Sequence, residues 1–241
     1  PIWERLFIYD SYACRVGKGI HAGSRRVMEF IRKNNYCMQC DISKFYPSID
    51  HDILFEIIKK KIKCEDTLDL FHNIINSIDG YKNVPIGNYT SQWFGNLYMN
   101  ELDQYLKHEH KVKYYIRYCD DFILFHNSKK ILSQLAVIIK DFVENKLKLR
   151  LKKCSIFPIS QGLDFLGYRH FKNYILLRKS TTKRVIKRLR KMPSDLEEGK
   201  ITQDQFRSSL ASTQGWLKWA NTYNLQLHLE ISKLKELYVR I

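Results

Sequence analysis

Apolar positions recur at helical spacing over most of this chain and at strand spacing in only a few short runs. Val27, Phe30 and Ile31 predict a helix over 20–34. Asp50 is placed as the N-cap of a second helix carrying Ile53, Leu54, Ile57, Ile58 and Ile62. Leu70, Phe71, Ile74, Ile75 and Ile78 predict a third over 66–78, ahead of a turn at Asp79-Gly80. A fourth, with Asn88 to Ser91 offering caps, carries Phe94, Leu97, Tyr98, Leu102, Tyr105 and Leu106. Ser128 starts a fifth through Leu132, Leu135, Ile139 and Phe142. Residues 36–41 alternate, which puts Tyr36, Met38 and Cys40 on one face of a strand and Cys37, Gln39 and Asp41 on the other. Residues 114–125 read as a hairpin, with Tyr114, Ile116 and Tyr118 alternating inward, Phe122 and Leu124 outward, and Asp120-Asp121 at the turn. Residues 163–171 form a further hairpin strand. Beyond Thr181 only helices are expected, over 181–191, 203–220 and 225–238, with Trp216, Leu217 and Trp219 as core. Strands and helices do not alternate regularly, so the pattern predicts an α+β fold, an antiparallel sheet backed by helices.

Composition narrows the partners. With 241 residues, 44% of them hydrophobic, the chain can bury a substantial core. Its net charge of +16 points to a polyanion, nucleic acid first and an anionic membrane surface second. No apolar run is long enough to span a bilayer, and the expectation is a soluble, intracellular, cytoplasmic protein with no membrane partner. Six scattered cysteines in a chain of this size are expected as free thiols. From the start at Pro1, without Met, the expectation is that the true N-terminus lies upstream.

Candidate chemistry lies mainly in the strands. Asp120-Asp121 reads either as an acidic turn or as a carboxylate pair for a hard divalent ion, and the second reading needs a third carboxylate on another strand. Asp41 ends the 36–41 strand while Asp50 already serves as the cap, which leaves Asp41 available. Cys37 and Cys40 have the Cys-x-x-Cys spacing, but no second Cys or His pair accompanies them and alternation sends them to opposite faces. The basic, glycine-flanked loop around Arg15 and Lys18 is either a solvated turn or a cradle for a phosphodiester backbone; it lacks the P-loop spacing. The glycine loop ahead of the fourth helix can bring backbone close to a base or phosphate. Residues 146–193 are strongly basic, and such one-sided charge expects a polyanion.

These strings, in this order, resemble the motifs of reverse transcriptases. Asp41-Ile-Ser-Lys-Phe-Tyr-Pro-Ser-Ile-Asp50 is similar to motif A, and Tyr118-Cys-Asp-Asp121 to the Tyr-x-Asp-Asp of motif C. Ile86-Gly-Asn-Tyr-Thr-Ser-Gln92 with Asn96-Leu-Tyr-Met-Asn100 and Leu102-Asp103 resembles motif B, Lys153 the motif D lysine, and Phe165-Leu-Gly-Tyr168 the motif E primer grip. Among branches, Ile86-Gly87 with Ser91-Gln92, Ala13-Cys14-Arg15 and Lys18-Gly19-Ile20-His21 are similar to the bacterial enzymes of diversity-generating retroelements, which copy a template RNA with errors opposite adenines. A group II intron, retron or antiphage-defence enzyme is the alternative branch. A nucleic-acid-binding protein that kept the fold and lost catalysis is the second alternative.

The resemblance implies a right-hand polymerase architecture. Residues 1–35 and 51–84 would be helical fingers, 36–50 and 85–177 an antiparallel-sheet palm, and 178–241 a three-helix thumb. The family's first finger strands, with their triphosphate-binding Lys or Arg, are not recognisable here. It implies two Mg²⁺ ions, replaceable by Mn²⁺, held by Asp41 and Asp120 with Asp121 in support. Lys153 would protonate the leaving pyrophosphate, with Lys152 beside it as the other lysine that could. Tyr46 beside Phe45 would exclude a 2′-hydroxyl, and Ile86, Gly87 and Gln92 would line the nucleotide. Arg15, Lys18, Gly167, Tyr168, Lys183, Arg184, Lys187 and Arg188 would contact nucleic acid. Partners would be dNTPs, template RNA, primer and cDNA, with an accessory RNA-binding protein expected from the retroelement branch.

Overall fold

The computed structural model describes residues 2–78, 80–85 and 87–238, and divides by packing into two compact units, 1–161 and 162–241. In the first unit four strands form one antiparallel sheet: β1 (Tyr36–Ile42), β2 (Tyr115–Tyr118), β3 (Asp121–His126) and β4 (Leu151–Pro158), in the order β2-β3-β1-β4. Helices α1 (Ile20–Lys33), α2 (Phe45–Ser48), α3 (His51–Lys59), α4 (Glu65–Ile75), α5 (Tyr89–Gln104) and α6 (Lys129–Asp141) complete it.

The elements form for the reasons the pattern suggests. The Asp50 carboxylate accepts from the Ile53 N–H and the Ser128 hydroxyl from the Ile131 N–H, each satisfying a donor that the first helical turn leaves open. Met38, Cys40 and Ile42 of β1 and Phe122 and Leu124 of β3 lie in one apolar core with Leu54, Ile58, Phe94, Leu97, Tyr98 and Leu102. Leu70 departs from its expected apolar face and is exposed, because α4 buries only Ile75 fully. Between β1 and α3 lies the short α2, entered through Lys44 in the left-handed region at φ 46°.

The second unit has its own sheet, β5 (Leu163–Phe165), β6 (Tyr168–His170) and β7 (Ile175–Leu177), antiparallel throughout, and its own core. The small sheet therefore belongs by packing to the helical body rather than to the larger sheet, so the division falls at residue 161 instead of the expected 177. Four helices follow where three are expected: α7 (Lys179–Glu197), α8 (Gln203–Leu217), α9 (Tyr223–His228) and α10 (Ile231–Tyr238). Glu230 at φ 47° breaks the last predicted helix into two. Helix α7 runs through Pro193 because Leu189 and Met192 continue its buried face past the expected stop at Lys191. Thr202 and Gln205 form a reciprocal capping box on α8. Among the described residues no helix is long and apolar enough to cross a membrane.

Candidate active site

Antiparallel pairing of β1 with β3 aligns Cys40 with Phe122, and one further step of that register brings Asp41 opposite Asp121. Two carboxylates some eighty residues apart in sequence thus share one end of the sheet. The hairpin joining β2 to β3 pairs Tyr118 with Asp121, so the turn residues are Cys119 and Asp120 rather than the expected Asp120 and Asp121. Cys119 has φ 56°, a positive value that few side chains adopt, and Asp120 does not share that sign.

The electrostatics register the convergence. Burial raises the Asp120 carboxyl above its usual range and the Asp41 charge adds to the rise, against lowering by its own backbone N–H, Cys119 and Arg117. Lys152 sits 3.0 Å from Asp41 Oδ2; Asp41 chiefly, then Asp121 and Asp120, raise its ammonium. One exposed ammonium therefore feels all three carboxylates. Among the described residues no three His, Cys, Asp or Glu side chains form a ready cage for an ion. The donor set nevertheless fits a hard cation of the magnesium type, which takes one or two protein carboxylates and completes its shell with water and phosphate.

The lysine that reaches the carboxylates is the neighbour of the expected one. Asp41 pairs with Lys153 across β1 and β4, but Ile42 pairs with Leu151, so Lys152 is the extra residue of a β-bulge. A bulge re-aims its side chain, and here it turns Lys152 onto Asp41 while Lys153 is exposed beside it.

Tyr46 is half-buried, with its ring tilted against Phe45 at 5.2 Å and its hydroxyl 3.3 Å from Cys119 Sγ. Burial first and then the Cys119 contact raise the Tyr46 phenol far above its ordinary value. A Cβ on Gly95 would lie 3.0 Å from the Phe45 ring and 3.2 Å from the Tyr46 ring, so α5 backs both aromatics closely. Phe45 itself is buried in the core. Gly87, at φ 104°, and Gln92 are exposed around the start of α5; Ile86, like Asp79 of the expected turn, lies outside the described residues.

Other expected contacts are used internally. The Arg15 guanidinium is nearly buried and bonds Glu4 and the carbonyls of Ile8 and Ser11; Lys18 donates to the Tyr9 carbonyl and lies 3.5 Å over the Tyr9 ring. Both brace their own loop. Tyr168 is fully buried and stacks on Trp216 at 5.3 Å, while Gly167, at φ 85°, leaves no room for a Cβ against the same ring. The Tyr168 ring is thus part of the core, whereas Gly167 is only half-buried at the turn. Lys183, Arg184, Lys187 and Arg188 are exposed on α7, and Arg188 also bonds the Ser209 hydroxyl. All six cysteines are free; Cys37 Sγ bonds the Phe157 carbonyl while Cys40 Sγ meets Cys154 Sγ at 2.9 Å, so the Cys-x-x-Cys spacing makes no joint site.

Sequence reasoning missed what lies beneath the turn. Arg117 and Asp103 are both fully buried and joined by bonds of 2.6 to 3.0 Å, and Tyr115 donates to the same carboxylate at 2.6 Å. The only sequence signal was an arginine inside an otherwise apolar strand.

Comparison with known proteins agrees with this geometry. The chain is 26% identical over 114 residues to a 91 kDa protein in the cob intron of Schizosaccharomyces pombe, and 21% identical over 117 residues to a COX1/OXI3 intron 2 protein of Saccharomyces cerevisiae. These alignments span 44% and 45% of this chain and 14% of the length of each relative. Among solved structures, telomerase from Candida tropicalis in complex with the TWJ fragment of telomeric RNA superposes with a TM-score of 0.57 at 14% identity, covering 94% of this chain and 44% of that one. The apo enzyme truncated of its C-terminal domain gives 0.56 at 15% identity, covering 70% and 41%. At that identity the likeness shows the fold. The model of the family described as reverse transcriptase (RNA-dependent DNA polymerase) matches residues 1–170, well over half of the chain, and the chain belongs to that family.

Proposed function

We propose that this chain is the polymerising part of an RNA-directed DNA polymerase that extends a primer along template RNA with dNTPs. The observation that carries the proposal is the β1–β3 register, which sets Asp41 beside the Asp120-Asp121 hairpin. Asp41 and Asp120 would hold Mg²⁺, or Mn²⁺ in its place, with Asp121 in support. A bound divalent pair supplies activation of the primer hydroxyl and neutralisation of charge at the phosphate. The chain's own residues orient, exclude and balance charge around that centre.

Lys152, already drawn to the carboxylates, is the nearer candidate to meet the departing pyrophosphate, and Lys153 is the one that family resemblance indicates. Tyr46, backed by Gly95 and tethered to Cys119, is assigned the exclusion of a 2′-hydroxyl. Gly87 and Gln92, with Ile86, are assigned to the incoming nucleotide. Lys183, Arg184, Lys187 and Arg188 would take the backbone phosphates of the product duplex.

Two branches follow from different observations. Ile86-Gly87 and Ser91-Gln92 favour a diversity-generating retroelement enzyme, error-prone at adenines and working with an accessory RNA-binding protein. The two intron relatives favour a group II intron enzyme. Extending a DNA primer on a defined RNA template with Mg²⁺ and sequencing the product tests both levels. Errors concentrated at template adenines, and reduced in Ile86→Gln, support the first branch; uniform low error supports the second. A chain that makes no RNA-templated product would sink the polymerase reading.

A further inference from the structure

Arg117 is the largest fully buried side chain among the described residues. It lies on β2 one residue before the Tyr118 that opens the catalytic hairpin. One side of its guanidinium is fixed by Asp103 of α5, through Nε at 2.8 and 3.0 Å and a terminal nitrogen at 2.6 Å. Its other terminal nitrogen donates to Asn96 Oδ1 at 3.1 Å and to the Cys119 carbonyl at 2.9 Å. Asn96 in turn donates to the Ala13 carbonyl at 2.9 Å. The main chain of Arg117 is held as well, donating to the Asp10 carbonyl and accepting from the Tyr12 N–H.

The Cys119 carbonyl belongs to the peptide that leads into Asp120. That peptide plane ends at the Asp120 Cα, from which the carboxylate departs. A single rigid peptide plane thus has Arg117 on one end and the candidate metal-holding carboxylate on the other. The Asp103–Arg117 pair is a costly way to obtain stability, because desolvating two charges offsets most of their attraction and apolar residues of similar volume often do as well. What the pair supplies that apolar residues cannot is a planar, five-donor fork of fixed direction.

We propose that Arg117 is a positioning residue for nucleotidyl transfer: anchored on Asp103 and Asn96 of α5, it fixes the Cys119–Asp120 peptide and so aims the Asp120 carboxylate. The proposal rests on the assignment of Asp120 given above. Through it, α5, the 10–13 loop and the hairpin tip move as one body, so a displacement of α5 is transmitted to the carboxylate.

Two variants test it. Arg117→Lys keeps a charge opposite Asp103 but loses the fork; Asp103→Leu with Arg117→Met replaces the whole pair by apolar side chains and preserves the core. Hydrogen exchange of the 118–121 amides and the half-saturating Mg²⁺ for primer extension are measured on each, with Mn²⁺ binding followed directly as a probe that needs no turnover. Both variants are expected to fold, to exchange these amides about tenfold faster, and to need about tenfold more metal, the size of one lost bond to a charged group. A merely structural role would be rescued by the lysine. Exchange and metal dependence within about twofold of wild type in either folded variant would overturn the proposal. If the wild type extends no primer, the polymerase reading fails instead, while amide exchange and Mn²⁺ binding still decide the role of Arg117.

Discussion

Two hairpins in this chain share one plan and have opposite uses. Each joins its strands through two residues, Cys119-Asp120 between Tyr118 and Asp121, and Leu166-Gly167 between Phe165 and Tyr168. In the first, the support beneath the turn is ionic: Arg117, Asp103, Tyr115 and Asn96. In the second it is apolar: Tyr168 stacked on Trp216, with Leu177, Leu189 and Phe206 in the same core. The polar support holds the peptide that leads into a half-buried carboxylate, whereas the apolar support draws the aromatic in. Hairpin geometry alone therefore does not decide what a turn presents; what lies beneath the turn does.

The largest expected difference is in stability. Tyr168→Ala should cost the second unit about 3–5 kcal/mol, read by denaturant unfolding, because a fully buried ring leaves a cavity. A cost under about 1 kcal/mol would mean that the ring is not a core element after all.

The hairpins should also answer pH with opposite sign. His170, on β6, is pushed down to about 4, chiefly by burial, so its neutral form is favoured in the fold. Its contribution is full above the ordinary histidine value and is lost as pH falls toward 4, by at most about 3 kcal/mol. Asp120 is raised, so its contribution is full at low pH and is lost as pH rises through its folded value. Thermal melts from pH 7 to 4 should show a steep acid slope that His170→Gln flattens. At neutral pH Asp120→Asn should melt higher than wild type, and equal melting would remove the burial and repulsion argument.

Smaller effects separate the turns themselves. Gly167→Ala should cost about 1–3 kcal/mol, since φ 85° disfavours a side chain and the Trp216 ring stands 3.0 Å from the added carbon. Cys119→Gly should shift stability by less than about 1 kcal/mol, because its φ of 56° suits glycine. The same change removes the thiol from the Tyr46 hydroxyl and should loosen discrimination against ribonucleotides, read as the ratio of rNTP to dNTP incorporation.

Much of this was legible in the residues, and the failures have physical causes. Asp50 and Ser128 announced their helices because a capping side chain acts within three residues. Asp41 and the 120–121 pair were found as candidates by strand alternation, and their family motifs supplied the link. Residue order leaves Lys152 and Lys153 side by side as rivals, because the β-bulge that turns Lys152 onto Asp41 is a pairing property, invisible until β1 and β4 are laid together. The burial of the Tyr168 ring was not legible in its motif, because it depends on the contact with Trp216, some fifty residues away in sequence. The internal bonds of Arg15 were likewise hidden, because a cation in a glycine loop shows no partner until the fold brings Glu4 against it.

The central claim is that Asp120, at the polar-supported turn, is a catalytic carboxylate. Single-turnover extension of a DNA primer on an RNA template, with Mg²⁺, compares wild type with Asp120→Ala. Loss of several kcal/mol of charge stabilisation predicts a fall of about a thousandfold or more in a variant that still folds. Equal rates in the two proteins would contradict the assignment.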